Sequence, residues 1–240
     1  MLMDLSHRST EPELMDDPRI KLNILREVLY DISNVNKILN GNGITIKAVA
    51  KLLSEHPKSS YTFLDFGCGD GSMLREVALF CRKNQINAKL TGVDLNEKTI
   101  QIAKENSKNF PEIQYVKQDV LQLDVLKYSC DIVLCTLTLH HFTNEEIVTF
   151  TQKTAALAAL GVIVNDLHRS KRAYYLYKGF SAIFIKTKIA KYDGLISIKR
   201  GFTKNDLTIF SKKLPMSEHK IKWKWAFRYV WVITPKRPSF

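Results

Sequence analysis

The sequence predicts an α/β fold with a mostly parallel sheet, and two features indicate it. Strand patterns alternate with helical patterns from about residue 60 to residue 167, which indicates successive βαβ units with right-handed crossovers. The chain then approaches its end with the segment HKIKWKWAFRYVWVITP, whose two halves alternate between polar and apolar residues. A tight connection over 225–228 would pair these halves as an antiparallel hairpin.

The individual elements follow from periodicity and from punctuating residues. A helix is predicted over 13–39, ended by Gly41, Asn42 and Gly43, and a second helix over 44–55. Predicted strands cover 61–66, 90–95, 113–118, 131–138 and 162–167, and the helices between them cover 72–83, 97–107 and 144–160. Beyond them we expect a basic, aromatic-rich helix over 169–190, a loop at 192–194, extended chain over 196–200 and a helix over 204–213 capped by Thr203 and Asp206.

Charge is distributed unevenly along the chain. The formal net charge is +12, yet residues 169–240 hold 18 Lys and Arg against 3 Asp and Glu, so this part carries +15 and the remainder −3. Such a basic part suits an acidic carrier protein, an anionic membrane surface or nucleic acid. A solvated lysine-rich surface is the alternative interpretation.

Cysteine usage and hydropathy indicate a cytoplasmic protein. The four cysteines Cys68, Cys81, Cys130 and Cys135 form no CxxC pair and are expected to be buried and reduced. The N-terminal residues show no secretory signal, and no apolar stretch approaches the ~20 residues of a membrane span.

A glycine-rich turn is the strongest functional signal. Asp65 and Phe66 end a strand, and the run GCGDGS leads from it into a helix. Glycine lets the backbone bend sharply and approach a ligand closely, and the following helix start offers free N–H groups. Ser72 stands where a dinucleotide-binding motif would have its last glycine, and a carboxylate at Asp65 suits a cationic ligand better than a pyrophosphate.

Two further acids follow the next strands. Asp94 ends the second strand and Asp119 follows the third, at the carboxyl edge where open α/β sheets bind ligands. Asp94 could accept both hydroxyls of a ribose, and Asp119 could accept from an adenine amino group. Either acid alone would more often be a helix cap, but together they favour a nucleotide-like ligand.

The motifs DFGCGDG, GVDL, QDV and CTLTLHHF together resemble the class I S-adenosylmethionine-dependent methyltransferases over about residues 60–167. The resemblance implies a Rossmann-like seven-stranded sheet in the order 3-2-1-4-5-7-6 with the last strand antiparallel, and S-adenosylmethionine as cofactor. It places the methionine part against Asp65, Gly67, Cys68, Gly69 and Gly71, with the backbone of Cys135 and Thr136. It assigns the ribose to Asp94 and Leu95 and the adenine to Asp119 and Val120.

The flanking segments ELMDDP, DLHRSKRAYYL and DGLISIKRGFT are similar to the O-methyltransferases associated with type III polyketide synthases, which act on phenolic or quinone-like lipids. One methyltransferase domain is therefore expected over 1–240. We divide it into an N-terminal helical lid (1–58), a cofactor-binding core (59–167), a helical cap inserted after strand five (168–217) and a terminal hairpin (218–240).

Several acceptor classes can be argued against. The fourth strand runs into Cys135-Thr136-Leu137-Thr138, without the proline-rich run of amine-directed base methyltransferases, and no Cys follows a Pro as in cytosine C5 enzymes. No acid ends that strand, so we expect no metal, although Asn165 and Asp166 end the next one. A small apolar aromatic acceptor remains, with the aromatic 170–190 helix as its cap.

Two alternatives stay open at this point. The basic C-terminal part, with Trp223, Trp225 and Phe227 among lysines, would also suit a nucleic-acid or ribosome-associated methyltransferase, although we expect no nucleic-acid partner. A catalytically silent protein that binds S-adenosylmethionine is the other alternative, and the sequence does not determine the oligomeric state.

Histidines following the fourth strand are the candidate bases. A phenol has a pKa near 10, so a base at the cofactor site would assist transfer to oxygen at neutral pH. His140 is the first candidate, with Asp166 at the end of the neighbouring strand fixing its tautomer, and His141 is the alternate. The competing interpretation is that these histidines only shape the pocket and that proximity alone drives transfer.

Overall fold

The computed structural model describes residues 4–123 and 128–236, so both extreme ends of the expected domain, 1–3 and 237–240, lie outside the described residues. Within these described ranges, seven strands form one sheet in the order β3-β2-β1-β4-β5-β7-β6. Their bounds are Ser60–Phe66 (β1), Asn87–Asp94 (β2), Ile113–Lys117 (β3), Cys130–Thr136 (β4), Ala158–Leu167 (β5), Ser217–Lys224 (β6) and Arg228–Pro235 (β7). β7 pairs antiparallel with β5 and β6, which confirms the predicted order and the terminal hairpin.

The centre of the sheet is buried because helices cover both of its faces. Ile132, Val133 and Leu134 of β4 are fully buried, as a parallel strand with helices on both sides requires. Val133 packs in the cluster that contains Trp231, whereas Ile132 and Leu134 pack with Leu74 on the other face. All four cysteines are free and buried, as predicted.

Eight α-helices surround the sheet in the part of the chain that the structure describes. They are Leu22–Ile38 (α1), Gly41–Glu55 (α2), Ser72–Lys83 (α3), Glu97–Asn106 (α4), Asn144–Leu157 (α5), Lys171–Phe184 (α6), Lys188–Arg200 (α7) and Lys204–Ser211 (α8). The predicted capping of α8 by Thr203 and Asp206 is present. Within the described residues, none of these helices has the length and apolar character needed to cross a bilayer.

Several element boundaries differ from the sequence prediction. The first helix begins at Leu22, after a 3-10 turn at Leu14–Asp16, and Gly41 starts α2 instead of ending α1. Gly41 lies against the Arg228 guanidinium, so a tertiary contact outweighs the usual role of glycine as a helix stop. The predicted helix over 144–160 ends at Leu157, because Ala158 already pairs with Cys130 in the β4–β5 ladder.

The predicted helix over 169–190 is wrong, since the chain forms α6 and α7 with a break between them. Asp31 of α1 causes the break by accepting the backbone N–H groups of Lys186 and Thr187 at 3.1 and 2.8 Å. The expected loop at 192–194 and extended chain over 196–200 are also wrong, since both lie in α7. Asp193 and Gly194, read as loop residues, serve tertiary contacts there: a Cβ on Gly194 would lie 1.9 Å from the Tyr177 hydroxyl.

Gly71 provides a test of the strand–helix turn after β1. Its φ is +78°, and a Cβ would lie 2.1 Å from the Tyr115 hydroxyl, which is itself hydrogen-bonded to Ser107. Gly71→Ala should therefore lower the free energy of unfolding by about 1–3 kcal/mol in urea titrations. The control Gly179→Ala, in α6 with no described atom within 4 Å of its Cβ position, should raise it by about 0.5–1 kcal/mol. Equal shifts in one direction would contradict this.

Candidate active site

A large cavity of about 1140 Å³ opens at the carboxyl ends of the central strands. Its walls come from the turn after β1, the ends of β2 and β4, the N-terminal segment around Glu13, helices α1 and α6, and the connection between β6 and β7. A cavity at this edge is where open parallel sheets bind their ligands. The lining is more apolar than polar.

The glycine turn presents bare backbone to this cavity. Gly67 and Gly69 have φ values of +65° and +53°, a region that residues with a Cβ rarely adopt. A Cβ on Gly67 would lie 2.3 Å from the Thr138 side chain, so that position packs tightly. No described atom lies within 4 Å of a Cβ position on Gly69, which leaves its backbone open to a ligand.

Asp65 is a buried carboxyl without a described partner. The residue is 2% exposed and lines the cavity, and its Oδ1 atom makes no hydrogen bond with the described residues. Burial, together with the negative charge of Asp94, raises the pKa of Asp65 well above its usual value. An orphaned carboxyl in this position fits a ligand that brings a cationic group.

The other predicted acids lie at the same edge. Asp94 accepts the backbone N–H groups of Gly69 and Asn96 at 3.2 and 2.9 Å, so its carboxylate is held at the end of β2. Asp119 accepts the Leu121 N–H at 2.8 Å and lines the cavity together with Val120. Burial raises the pKa of Asp94, and the two backbone hydrogen bonds oppose that rise.

Most of the expected cofactor residues line this one cavity: Asp65, Gly67, Cys68, Gly69, Asp94, Leu95, Asp119, Val120 and Thr136. Gly71 and Cys135 are not among the described residues that do. Gly71 packs against Tyr115, and the Cys135 side chain is fully buried within β4. Sequence position alone therefore does not show whether a residue of the glycine turn or of β4 lines the cavity or packs behind it.

His140 lies between two carboxylates. Its Nδ1 atom is 2.7 Å from Asp166 Oδ1, and its Nε2 atom is 3.3 Å from Glu13 Oε1, an ionic contact without good hydrogen-bond alignment. The His140 side chain is 2% exposed. Burial lowers the pKa of His140, but the two carboxylates outweigh it and raise the pKa to about 9. The imidazole is therefore protonated at neutral pH in this arrangement.

Glu13 is the site residue that sequence reasoning did not find. The buried Asp193 of α7 accepts the backbone N–H groups of Leu14 and Met15 at 2.7 and 2.9 Å, which fixes the chain next to Glu13. The Glu13 carboxylate also accepts the Ser197 hydroxyl at 2.7 Å, and the neighbouring histidines lower its pKa to about 2 despite its burial. The only sequence signal was its place in the ELMDDP segment.

His141 lies on the more open side of the same cluster. Its Nδ1 atom is 3.1 Å from Asp16 Oδ2, its Nε2 atom is 3.7 Å from Glu13 Oε2, and 26% of its side chain is exposed. Donor atoms of Glu13, His140 and His141 lie within 4.8 Å of one another, a spacing that a metal ion could also use. We interpret the cluster as an ion-pair network, because the Glu13 carboxylate faces both rings directly. The expectation that no metal is needed stays a prediction.

The raised pKa of His140 implies a pH-dependent stability. The unfolded pKa is 6.5 and the folded one about 9, so the stabilisation by the charged ring is complete below pH 6.5 and is lost as the pH rises through 9. The free energy of unfolding of the wild type should fall over this window relative to His140→Gln. Urea titrations at pH 6, 7.5 and 9 measure it. A constant difference between the two proteins would refute a charged His140.

Comparison with known proteins agrees with this geometry. Residues 63–161 match a family described as a methyltransferase domain. A malonyl-[acyl-carrier protein] O-methyltransferase from Halalkalibacterium halodurans is 25% identical over 141 residues, which are 58% of this chain and 48% of that protein. The chain thus spans about half the length of this curated relative.

Solved structures share the fold at low identity. The plantazolicin methyltransferase BpumL in complex with S-adenosylhomocysteine has a TM-score of 0.64 at 15% identity, covering 89% of this chain and 96% of that one. Magnesium protoporphyrin IX methyltransferase from Synechocystis PCC 6803 with bound S-adenosylmethionine has a TM-score of 0.54 at 17% identity, covering 81% of this chain and 79% of that one. Residues 63–161 thus match a methyltransferase domain, and the sheet order and the glycine turn agree with the fold of the class I S-adenosylmethionine-dependent methyltransferases.

Proposed function

We propose that this chain transfers the methyl group of S-adenosylmethionine to an oxygen atom of a small apolar aromatic acceptor, a phenolic or quinone-like compound of the polyketide type. The observation that carries the proposal is that one cavity is lined both by the row of acids at the ends of β1, β2 and β3 and by His140, which Asp166 holds from behind. The cavity is large enough for a cofactor and an acceptor together.

The cofactor would be held by the residues of the glycine turn and the strand ends. The uncompensated carboxyl of Asp65 suits the cationic methionine part, next to the open backbone of Gly69. Asp94 suits the ribose hydroxyls and Asp119 the adenine amino group. When bound, S-adenosylmethionine supplies an electrophilic methyl carbon. Gly71 and Cys135 would support this site from behind instead of touching the ligand.

The acceptor would occupy the apolar side of the cavity. Leu176, Tyr177 and Phe180 of α6 line it from one side, and Ile32 and Val35 of α1 from another. These side chains suit a flat or extended apolar molecule. An aromatic ring among them would leave its hydroxyl group to find polar partners at His140 and Glu13.

His140 would act as the base, with Asp166 holding Nδ1 protonated so that Nε2 can accept a proton. A pKa of about 9 lies close to that of a phenol near 10, so proton transfer between them is nearly balanced. The neutral ring is the minor form at pH 7, and Glu13 faces Nε2 in the described arrangement. The acceptor hydroxyl must therefore displace the Glu13 carboxylate from its place beside Nε2. His141, oriented by Asp16, is the alternate base.

Cofactor binding is tested by isothermal titration of S-adenosylhomocysteine. Asp94→Ala should weaken binding at least ~10-fold, since a hydrogen bond to an ionised group contributes about 1.5–3 kcal/mol. Glu76→Ala, which removes an exposed carboxylate from α3, should leave the affinity unchanged. NADH should not bind to either protein. An unchanged dissociation constant in Asp94→Ala would remove Asp94 from the site.

The base is tested with the best substrate from a panel of alkyl phenols. The logarithm of kcat/KM should rise with pH and level off above about 9, because the neutral His140 ring is the active form. Glu13→Gln removes one of the charges that stabilise the imidazolium, so the inflection should move to lower pH. Glu11→Gln, an exposed acid of the same segment that pairs with Lys199, is the matched control.

His140→Ala completes this test. It should lower kcat at least ~100-fold while S-adenosylhomocysteine affinity stays near normal. A loss below roughly fivefold, or one pH profile shared by Glu13→Gln and the wild type, would argue against this base. Cofactor binding without turnover of any phenol would favour the silent binding protein.

A further inference from the structure

We infer that the rim of the cavity formed by α6 and the β6–β7 connection docks the protein onto an anionic lipid bilayer, so that an apolar acceptor enters the cavity from the membrane. The route of the acceptor rests on the proposed function. The docking itself does not, and it can be tested without any methyl transfer.

Helix α6 divides its surface between the cavity and solvent. Ala173, Leu176, Tyr177 and Phe180 line the cavity at the i, i+3, i+4, i+7 spacing of one helix face. Among the residues of α6, only Ala173 and Ser181 are buried. A helix that packs so little against the rest of the protein has a large face left for another surface.

The exposed part of α6 mixes apolar side chains with cations. Ile183 is 77% exposed, and Tyr175 and Phe184 are about half exposed. Lys171, Arg172 and Lys178 are exposed on the same helix, and the sequence from 169 to 192 holds seven Lys and Arg but no Asp or Glu. Basic helices with exposed apolar residues bind at the boundary of headgroups and acyl chains of anionic membranes.

The end of β6 and its connection to β7 repeat this composition on the other side of the opening. Trp225 lines the cavity and is 64% exposed, and Trp223 is 46% exposed. The exposed Lys222 and Lys224 alternate with these two rings. Tryptophan concentrates at membrane interfaces because its ring is apolar while its N–H stays hydrated. Two separate elements that border one cavity thus present the same combination of groups.

The exposed apolar side chains decide between a membrane and an acidic carrier protein. Charge alone would suit either partner, since both are anionic. However, Ile183, Tyr175 and Trp225 leave much of their apolar surface in solvent, and insertion below the headgroups would bury it. An apolar cavity between these elements then opens toward the acyl chains, where a lipid-like acceptor resides.

Vesicle co-sedimentation tests the docking directly. The purified protein should bind vesicles of phosphatidylcholine with 30% phosphatidylglycerol at least tenfold more tightly than vesicles of pure phosphatidylcholine. Binding should weaken severalfold between 50 and 500 mM NaCl, because exposed charges are screened by salt. Ile183→Glu and the double variant Lys171→Glu/Lys178→Glu should each bind at least tenfold more weakly.

Matched controls lie in the same basic part of the chain but away from the cavity. Ile209→Glu on α8, where Ile209 is 49% exposed, and Lys212→Glu/Lys213→Glu should stay within twofold of the wild type. S-adenosylhomocysteine affinity and melting temperature should be unchanged in all four variants, since none of these residues lines the cavity.

Three results would overturn the inference. One is equal binding to neutral and anionic vesicles, and another is equal weakening by the α6 variants and by the controls at Ile209 and at Lys212 and Lys213. The third is no vesicle binding but saturable binding to a purified acyl carrier protein, which would assign the rim to an acidic protein. Loss of phenol methylation with intact vesicle binding would instead count against the proposed function alone.

Discussion

The candidate site depends on the ionic contacts of the charged His140 ring with Asp166 and Glu13. It joins the turn after β4, the end of β5 and the N-terminal segment through contacts of 2.7 and 3.3 Å in a region almost closed to solvent. A lone buried cation would be costly, and so would either carboxylate alone. Each of the three groups is therefore stable in its ionised form only while the others hold their positions.

Two arginine side chains support this cluster by donating hydrogen bonds to backbone carbonyl groups. Arg8 donates to the carbonyl groups of His140 and Phe142 at 3.0 and 2.9 Å, and Arg200 donates to those of His140 and His141 at 3.1 and 2.6 Å. Burial lowers the pKa of Arg8 to about 10. The turn that carries the histidines is thus tied to the N-terminal segment and to α7, so movement of either element would change the position of the candidate base.

The cluster also links chemistry to access. Glu13 occupies the place that an acceptor hydroxyl would need beside Nε2, and Asp193 holds the backbone after Glu13 on α7. Helix α7 packs in turn against α6, the helix that lines the apolar side of the cavity and forms its rim. A movement of α6 at the rim can therefore shift α7 and, through Asp193, the N-terminal segment that places Glu13 beside His140.

Local sequence determined the core of this protein well. A continuous apolar run marks the buried strand at Ile132–Leu134, and glycines that tolerate positive φ mark the turn at Gly67–Gly71. A period of two marks the last hairpin. Each of these signals is contained in a short stretch of sequence. The acids Asp65, Asp94 and Asp119 were found because parallel strands end at one edge. The pairing of His140 with Asp166 followed from the implied strand order.

Tertiary structure decided what periodicity does not encode. The break between α6 and α7 depends on Asp31, which is far away in sequence, and the helical state of 196–200 depends on the packing of α7. Glu13 reached the site only because Asp193 anchors its neighbours, and no local pattern marks such a contact. Apolar and basic residues of α6 were visible in the sequence, but only packing showed which of them face the cavity and which face outward, because that choice is made by the neighbouring helices.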